Sequence, residues 1–145
     1  MNPDFVALLL ELAAAEARFM VVGAYALAHH ARPRATGDLD IWVDPTPENA
    51  QRVHAALLAF GAPLNDLTVG ELSQPDLVYQ IGVAPRRIDI LTTLTGLSFA
   101  EAWPSRVAGT FGSVSCPVLG RDQLVLNKRT LGRPRDLADL ESLGE

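Results

Sequence analysis

Two short segments of the sequence have the apolar residues of a buried strand but also contain aspartate. One is Asp-Leu-Asp-Ile at residues 38–41, and the other is Ile-Asp-Ile at residues 88–90. Side chains alternate along a strand, so Asp38 and Asp40 share one face while the apolar residues between them enter the core. If the second strand lies beside the first, Asp89 joins them. In that arrangement, three carboxylates converge.

Carboxylates that converge on a rigid strand repel one another unless a cation lies between them. Magnesium prefers oxygen ligands, and three carboxylates are enough to hold two metal ions about 3.5–4 Å apart, as in in-line displacement at phosphorus. We therefore expect Asp38, Asp40 and Asp89 to be metal ligands. Two alternatives remain open. An isolated Asp-x-Asp pair is usually solvated, and Asp89 could instead pair with Arg86 or Arg87 at an exposed edge.

Gly23 and Ala24 follow the apolar run at residues 19–22 and precede an alanine-rich segment. This order predicts a strand, a turn and a helix. A glycine at such a turn lets the backbone approach a phosphate closely, and the free N–H groups at the helix start favour an anion. A tight turn without any ligand is the alternative. The acids further along the chain favour the phosphate interpretation.

Composition bounds the fold and the partners. The chain has 145 residues, of which 48% are hydrophobic and 20% are charged, so residues 1–145 are expected to form one domain. The single cysteine, Cys116, cannot form an internal disulfide, which favours the cytoplasm. The early apolar run at residues 5–10 is too short to span a membrane. A net charge of −5 makes nucleic acid an unfavourable partner.

The order of predicted elements indicates an α+β protein with a central mixed sheet flanked by helices. Helices are expected from the start signal at residues 2–4, at 24–31, from the start signal at 46–49, at 98–103, at 121–131 and at 134–143. Strands are expected at residues 19–22, 38–43, 77–83, 87–92, 106–108 and 113–116. The third and fourth strands would form a hairpin, and so would the last two, joined through Gly109 and Gly112.

These residues together resemble the DNA polymerase β-type nucleotidyltransferase superfamily. The signature comprises Val22-Gly23-Ala24, a gap of thirteen residues, the Asp-Leu-Asp-Ile segment and the later Ile-Asp-Ile segment. Arg34 and Thr36, just before the first acid, resemble the small bacterial members, which include minimal nucleotidyltransferases and abortive-infection toxin relatives. Lys128, followed by the Arg-rich and Asp-rich segment 133–140, resembles their C-terminal helix motif. The resemblance covers approximately residues 19–143.

The resemblance implies a nucleotidyltransferase fold and the transfer of a nucleoside monophosphate from a triphosphate, expected to be ATP, to a hydroxyl. Asp38 and Asp40 would bind Mg²⁺, and Asp89 would complete a second metal site and activate the acceptor. Gly23, Ala24, Arg34, Thr36 and Lys128 would contact the nucleotide. Ala24 departs from the usual serine or glycine, so no hydroxyl is available there for the terminal phosphate.

A second function class remains open. A nucleotide-binding or antitoxin-like partner protein could keep this fold with little or no transferase activity. The three acids favour the enzyme, whereas Ala24 and the short chain favour the partner protein. A homodimer or a helical partner would complete an acceptor site in so short a chain. The acceptor itself, whether a small molecule, a protein side chain or an RNA end, is left open. Trp42 is expected either to stack on a base or to pack in the core.

Overall fold

A six-stranded mixed sheet forms the centre of the protein, with strand order β3-β4-β2-β1-β6-β5. The computed structural model describes residues 1–31, 37–83 and 85–145, so Arg34 and Thr36 lie outside the described residues. The strands are β1 (Phe19–Val22), β2 (Leu39–Val43), β3 (Val78–Ile81), β4 (Ile88–Leu91), β5 (Val107–Phe111) and β6 (Val114–Val118).

Helices flank this sheet, as the sequence predicts for an α+β protein. They are α1 (Pro3–Ala14), α2 (Gly23–His30), α3 (Pro47–Phe60), α4 (Val69–Leu72), α5 (Phe99–Ala102), α6 (Arg121–Leu131) and α7 (Pro134–Ser142), with a 3-10 turn at Trp103–Ser105. Helix α1 packs on α3 and β6, while α2 contacts β1, β2 and α6. None of the helices in the described part of the chain is long and apolar enough to cross a bilayer.

Local sequence signals explain where the longer helices begin and end. Asn2 accepts a hydrogen bond from the Asp4 N–H at 2.8 Å, and Thr46 accepts one from the Asn49 N–H at 3.3 Å. Each cap precedes a proline at the first helical position, where the missing N–H is not needed. Gly132 ends α6 with a φ of +62°, in the left-handed region that favours glycine. These starts and stops were predictable.

Three differences from the sequence prediction are informative, while other helix and strand ends shift by only one or two residues. Helix α4 was not predicted; Thr68 and Glu71 form its capping box, but the helix has only four residues and no apolar period to reveal it. Gly109 lies inside β5, so the final hairpin turns at Gly112 alone and its strands are longer than expected. Strand β2 begins at Leu39, one residue later than expected, which leaves Asp38 just outside the strand.

The two central strands are buried on both faces, which decides the role of Trp42. Every residue of β1 is buried, and Trp42 on β2 is only 1% exposed. Its indole Nε1 donates to the Thr92 carbonyl at 3.3 Å, and its ring packs edge-on against Phe99. Trp42 is therefore a core residue, and base stacking by its ring is excluded.

Asn49 joins the entry of β1 to the exit of β2. Its Oδ1 accepts from the Arg18 N–H at 2.7 Å, and its Nδ2 donates to the Arg18 and Asp44 carbonyls at 3.0 and 2.8 Å. The side chain is buried, so these backbone groups have little access to water if the amide is removed. Asn49 thereby holds helix α3 against the same end of both central strands.

We expect Asn49→Ala to lower the free energy of unfolding by about 2–3 kcal/mol, because it leaves buried backbone polar groups without their partner. Urea denaturation followed by far-ultraviolet circular dichroism measures the change. Gln51→Ala, on an exposed position of the same helix, is the control and should change stability by less than about 0.5 kcal/mol. Equal effects of the two substitutions would contradict the assigned role of Asn49.

Candidate active site

The pairing of β2 with β4 brings the acidic segments together. The strands are parallel, and their register places Asp40 directly beside Asp89 and Leu39 beside Ile88. The backbone N–H of Arg87 donates to Asp38 Oδ1 at 3.1 Å, which brings Asp38 to the same place just before the strand begins. The three aspartates thus converge as the sequence predicted. Asp89 lies on an internal strand and is only 8% exposed, so it is not at an exposed edge.

Asp40 is the carboxyl most affected by this crowding. Burial raises the pKa of Asp40 to about 6, and the charge of Asp89, its hydrogen bond with Asp89 and the charge of Asp38 add to that rise. Arg87 acts in the opposite direction. A carboxyl with a raised pKa is poorly compensated in its charged form. The site therefore has an unmet demand for positive charge at Asp40.

Among the residues that the structure describes, Arg87 brings positive charge to these acids. Its Nε lies 2.8 Å from Asp89 Oδ1, and its Nη2 lies 3.3 Å from Asp89 Oδ2 and 3.4 Å from Asp38 Oδ2. The guanidinium thus forms a fork on Asp89 and also reaches Asp38, and its contact with Asp89 raises the pKa of Arg87 further. Of the two partners considered for Asp89 from sequence, Arg87 is the one that binds it.

Gly23 allows the start of α2 to approach these acids. Its φ is +65°, and a Cβ atom at this position would lie 2.2 Å from Asp40 Oδ2. Any other residue would therefore be strained and would also displace the carboxylate. The cap residue Val22 offers no side-chain hydrogen bond to the first turn of α2. The start of α2 therefore carries N–H groups without a side-chain cap, and its first residues, Gly23 and Ala24, line the same cleft as Asp40.

A cleft of about 210 Å³ opens beside Asp40 and the start of α2. Gly23 and Ala24 lie on one side, and Lys128, Arg133 and Arg135 come from α6 and the start of α7; its lining also includes Val22, Leu91, Leu94, Asn127 and Leu131. A space of this size is smaller than the usual pocket for a whole nucleotide-sized ligand, about 300–1,000 Å³. The cleft is large enough for the phosphate groups of such a ligand, while the rest of the ligand would extend into solvent.

Two of the basic residues that line the cleft, Lys128 and Arg133, are held by acids of α7. Lys128 is 6% exposed, and its Nζ lies 3.0 Å from Asp139 and 3.5 Å from Asp136. Arg133 Nε lies 2.6 Å from Asp136 Oδ2. Hydrogen bonds from Arg133, supported by the Lys128 charge, hold the pKa of the fully buried Asp136 at about 2. Asp136 therefore stays ionised and fixes both cations at the cleft wall.

Whether these residues suit a metal ion can be judged from their chemistry. Oxygen donors at Asp38, Asp40 and Asp89, together with the raised pKa of Asp40, fit a hard divalent cation. Within residues 1–31, 37–83 and 85–145, no group of three or more His, Cys, Asp or Glu side chains is already arranged around one metal position. The donor set fits, and its side chains would have to rearrange to bind the cation together.

A larger groove, of about 920 Å³, begins at residues adjacent in sequence to the acids. Gly37 precedes Asp38 and Arg86 precedes Arg87, and the groove is otherwise lined by Asn2, Pro3, Asp4, Phe5, Tyr25 and Pro85. Tyr25 lies close enough to Asp38 for the carboxylate charge to contribute to raising the pKa of the tyrosine, after the larger effect of burial. The acids therefore have a small basic cleft and a wider mixed groove within reach.

The structure brings together most of the residues that the sequence singled out. Asp38, Asp40 and Asp89 meet, and Gly23, Ala24 and Lys128 line the cleft beside Asp40. Arg34 and Thr36 lie outside the described residues. The sequence pattern does not single out Arg133 and Arg135 as site residues, although both lie in the segment that follows Lys128. The same pattern predicts only a structural pairing of Arg87 with Asp89.

Comparison with known proteins identifies the fold. No protein-family profile matches the chain, and no curated protein sequence matches it either. The architecture is that of a nucleotidyltransferase-like fold. The chain is similar to a crystal structure described as a "putative nucleotidyltransferase" from Thermotoga maritima, with a TM-score of 0.59, 13% sequence identity, and coverage of 97% of this chain and 92% of that one.

The raised pKa of Asp40 predicts a specific dependence of stability on pH. The folded chain protonates Asp40 near pH 6 and the unfolded chain near 3.8, so between these values the folded state binds more protons. Without metal, the free energy of unfolding should therefore fall as pH rises from about 4 to about 6, by about 3 kcal/mol for this one group. The loss persists above that range.

Asp40→Asn should remove this contribution and be the more stable protein at pH 7.5 in the presence of a chelator. The difference between the urea denaturation curves of wild type and variant, measured from pH 4 to pH 8, isolates Asp40 from other titrating groups. Asp122→Asn is the control, because the Asp122 side chain is 93% exposed. A variant less stable than wild type at pH 7.5 would contradict the prediction.

Proposed function

We propose that the protein transfers a nucleoside monophosphate from a nucleoside triphosphate to an acceptor hydroxyl. The observation that supports this most is the register of β2 and β4, which places Asp40 beside Asp89 at the mouth of a basic cleft. Aspartate side chains that can bind a cation thus lie next to basic side chains that can bind phosphate. Phosphoryl and nucleotidyl transfers depend almost entirely on such positioning and electrostatics.

The cleft residues would bind the phosphates of the nucleotide. Backbone N–H groups at Gly23 and Ala24 would donate to one phosphate, and Arg133 and Arg135 would contact the others. Lys128, at the inner wall, would offset the charge that develops on the departing pyrophosphate. Because Lys128 is fixed between two carboxylates, it would act without a large movement.

The aspartates would act at the reacting phosphorus. Magnesium held by Asp38, Asp40 and Asp89 would supply Lewis acidity to the triphosphate and lower the pKa of the acceptor hydroxyl. Asp89 would orient that hydroxyl and receive its proton as the new P–O bond forms and the bond to pyrophosphate breaks. The acceptor would approach through the wide groove that begins at Gly37 and Arg86.

ATP is the proposed nucleotide donor, and the proposed location of the protein is the cytoplasm. A homodimer or a helical partner protein would complete the acceptor site. We also propose that the protein is related to minimal nucleotidyltransferases or to abortive-infection proteins. A toxin–antitoxin role is part of this proposal.

Cys116 takes no part in the proposed chemistry. Its side chain is 4% exposed and burial raises its pKa to about 12, so it is a core residue and not a nucleophile.

A partner protein with little transferase activity is the second candidate. Two observations favour it: Ala24 has no hydroxyl for the outermost phosphate, and the Arg87 guanidinium occupies two of the three acids. Such a protein would retain the fold and lose the chemistry. Nucleotide binding separates the candidates, because a partner that has abandoned nucleotides would bind none.

The direct test is Mg²⁺-dependent nucleotide binding, measured by isothermal calorimetry with non-hydrolysable ATP and GTP analogues. We expect binding by wild type with Mg²⁺, a loss of at least about tenfold in affinity without it, and a similar loss in Asp40→Asn, because ligand charge at the metal is removed. Asp122→Asn should bind like wild type. Unchanged binding in Asp40→Asn would refute the metal-dependent site.

Incubation of wild type with α-labelled nucleotides, Mg²⁺ and cell lysate then tests transfer and reveals the acceptor. Asp89→Asn should keep nucleotide affinity within a few fold while its labelling rate falls, because Asp89 is assigned to the chemical step. If wild type labels nothing and binds no nucleotide, the transferase proposal fails. Binding without any labelling would favour the partner protein.

Ala24→Ser should tighten binding of the Mg²⁺–nucleotide. Ala24 lies in the first turn of α2 and lines the cleft, where a serine hydroxyl could donate to a phosphate. A hydrogen bond to a charged group contributes roughly 1.5–3 kcal/mol, equivalent to about tenfold or more in affinity. Ala28→Ser, on the same helix but outside the cleft lining, is the matched control. Equal calorimetric affinities for the two variants would contradict the contact assigned to residue 24.

A further inference from the structure

The Arg87 guanidinium lies where a positive charge between the acids is needed. It forms two contacts with Asp89, at 2.8 and 3.3 Å, and one with Asp38 at 3.4 Å. The backbone N–H of the same residue also binds Asp38, and the Arg87 carbonyl accepts from the Leu39 N–H at 2.9 Å. Arg87 is therefore anchored at its backbone and reaches both carboxylates with one side chain.

This arrangement involves both oxygens of Asp89. A guanidinium fork and a divalent cation seek the same carboxylate oxygens and carry charges of the same sign. The Asp89 side chain is 11% exposed and the Asp38 side chain 29% exposed, so water screens the repulsion between the two cations only partly. Binding a cation to all three aspartates thus competes with the contacts that Arg87 makes.

The Arg87 side chain is exposed enough to move away from Asp38 and Asp89. Its side chain is 32% exposed, unlike that of Lys128, which is 8% exposed and held by two carboxylates. A triphosphate at the neighbouring cleft would offer the guanidinium an alternative anion with matching geometry. Release of Arg87 from Asp89 would also free the oxygen that must receive the acceptor proton.

We propose that Arg87 is a resident counter-cation that competes with divalent metal for Asp38 and Asp89, so that the site loads metal together with nucleotide and only weakly without it. This inference rests on the proposed function and adds a regulation of the same site. It makes Arg87 a positioning residue: it acts on the aspartates and on the order of ligand binding. The metal-free protein is kept stable by an internal charge pair.

The test is a titration with Mn²⁺, whose binding is read directly from its electron paramagnetic resonance signal. Arg87→Gln should bind Mn²⁺ alone about tenfold or more tightly than wild type, because a positive charge is removed from among the ligands. With a non-hydrolysable ATP analogue present, the difference should shrink. Arg87→Lys keeps the charge without the fork and should give an affinity between the two. Arg52→Gln, an exposed arginine on α3, should match wild type.

Stability supplies a second readout that does not depend on activity. In chelator, Arg87→Gln should melt at a lower temperature than wild type, and Mn²⁺ should raise its melting temperature more than that of wild type. This shift remains measurable if the variant is only partly folded without metal. An Arg87→Gln protein that binds Mn²⁺ no more tightly than wild type would overturn the inference.

The outcomes also separate this inference from the proposed function. If wild type binds Mn²⁺ with the nucleotide analogue but Arg87→Gln shows no gain with Mn²⁺ alone, only the role of Arg87 is wrong. If neither protein binds Mn²⁺ under any condition, the metal-dependent function fails, and the inference fails with it.

Discussion

The parallel pairing of β2 with β4 is the constraint on which the site depends. Backbone hydrogen bonds and apolar neighbours fix the register, so Asp40 and Asp89 are held side by side despite their mutual repulsion. The apolar neighbours of the two acids on these strands are all buried: Leu39, Ile41, Ile88 and Ile90. The strands therefore cannot move apart without opening the core. The core therefore holds the acids close together, and burial, with the charges of Asp89 and Asp38 added to it, raises the pKa of Asp40 to about 6. Strongly shifted pKa values of this kind cluster at functional sites.

Much of this was predictable because the decisive signals are local. Alternation in the segment 38–41 predicted which side chains enter the core, and the cap residues Asn2 and Thr46 predicted the starts of α1 and α3. The glycine at residue 23 predicted the turn before α2. Each of these signals acts within a few residues and needs no knowledge of distant contacts. The convergence of Asp89 with the other acids was predicted only conditionally, since it required β4 to lie beside β2.

The remainder depends on contacts between distant parts of the chain. The order of strands in the sheet follows from which edges pair, and nothing local to β6 reveals that it lies parallel to β1. The role of Arg87 depends on the approach of Asp38, which directly precedes β2 and lies 49 residues away in the sequence. Likewise, Arg133 and Arg135 enter the cleft only because α7 turns back on α6 after Gly132. Sequence patterns identify the chemical groups, whereas tertiary contacts decide which groups meet.

One electrostatic feature unites the two halves of the site. In the described part of the chain, Arg87 is a cation paired with the acids, and Asp136 and Asp139 are the anions that hold Lys128 and Arg133 at the basic cleft. In the ligand-free protein, much of the charge of each cluster is thus balanced by an oppositely charged residue of the same chain. A metal–polyphosphate complex carries both signs of charge and can therefore offer new partners to the acids and the bases together. Metal alone offers them only to the acids, and a bare polyphosphate only to the bases. Discrimination in favour of the complete complex then follows from exchange of ion pairs, because an isolated ligand would separate an existing pair and leave one member of it without compensation.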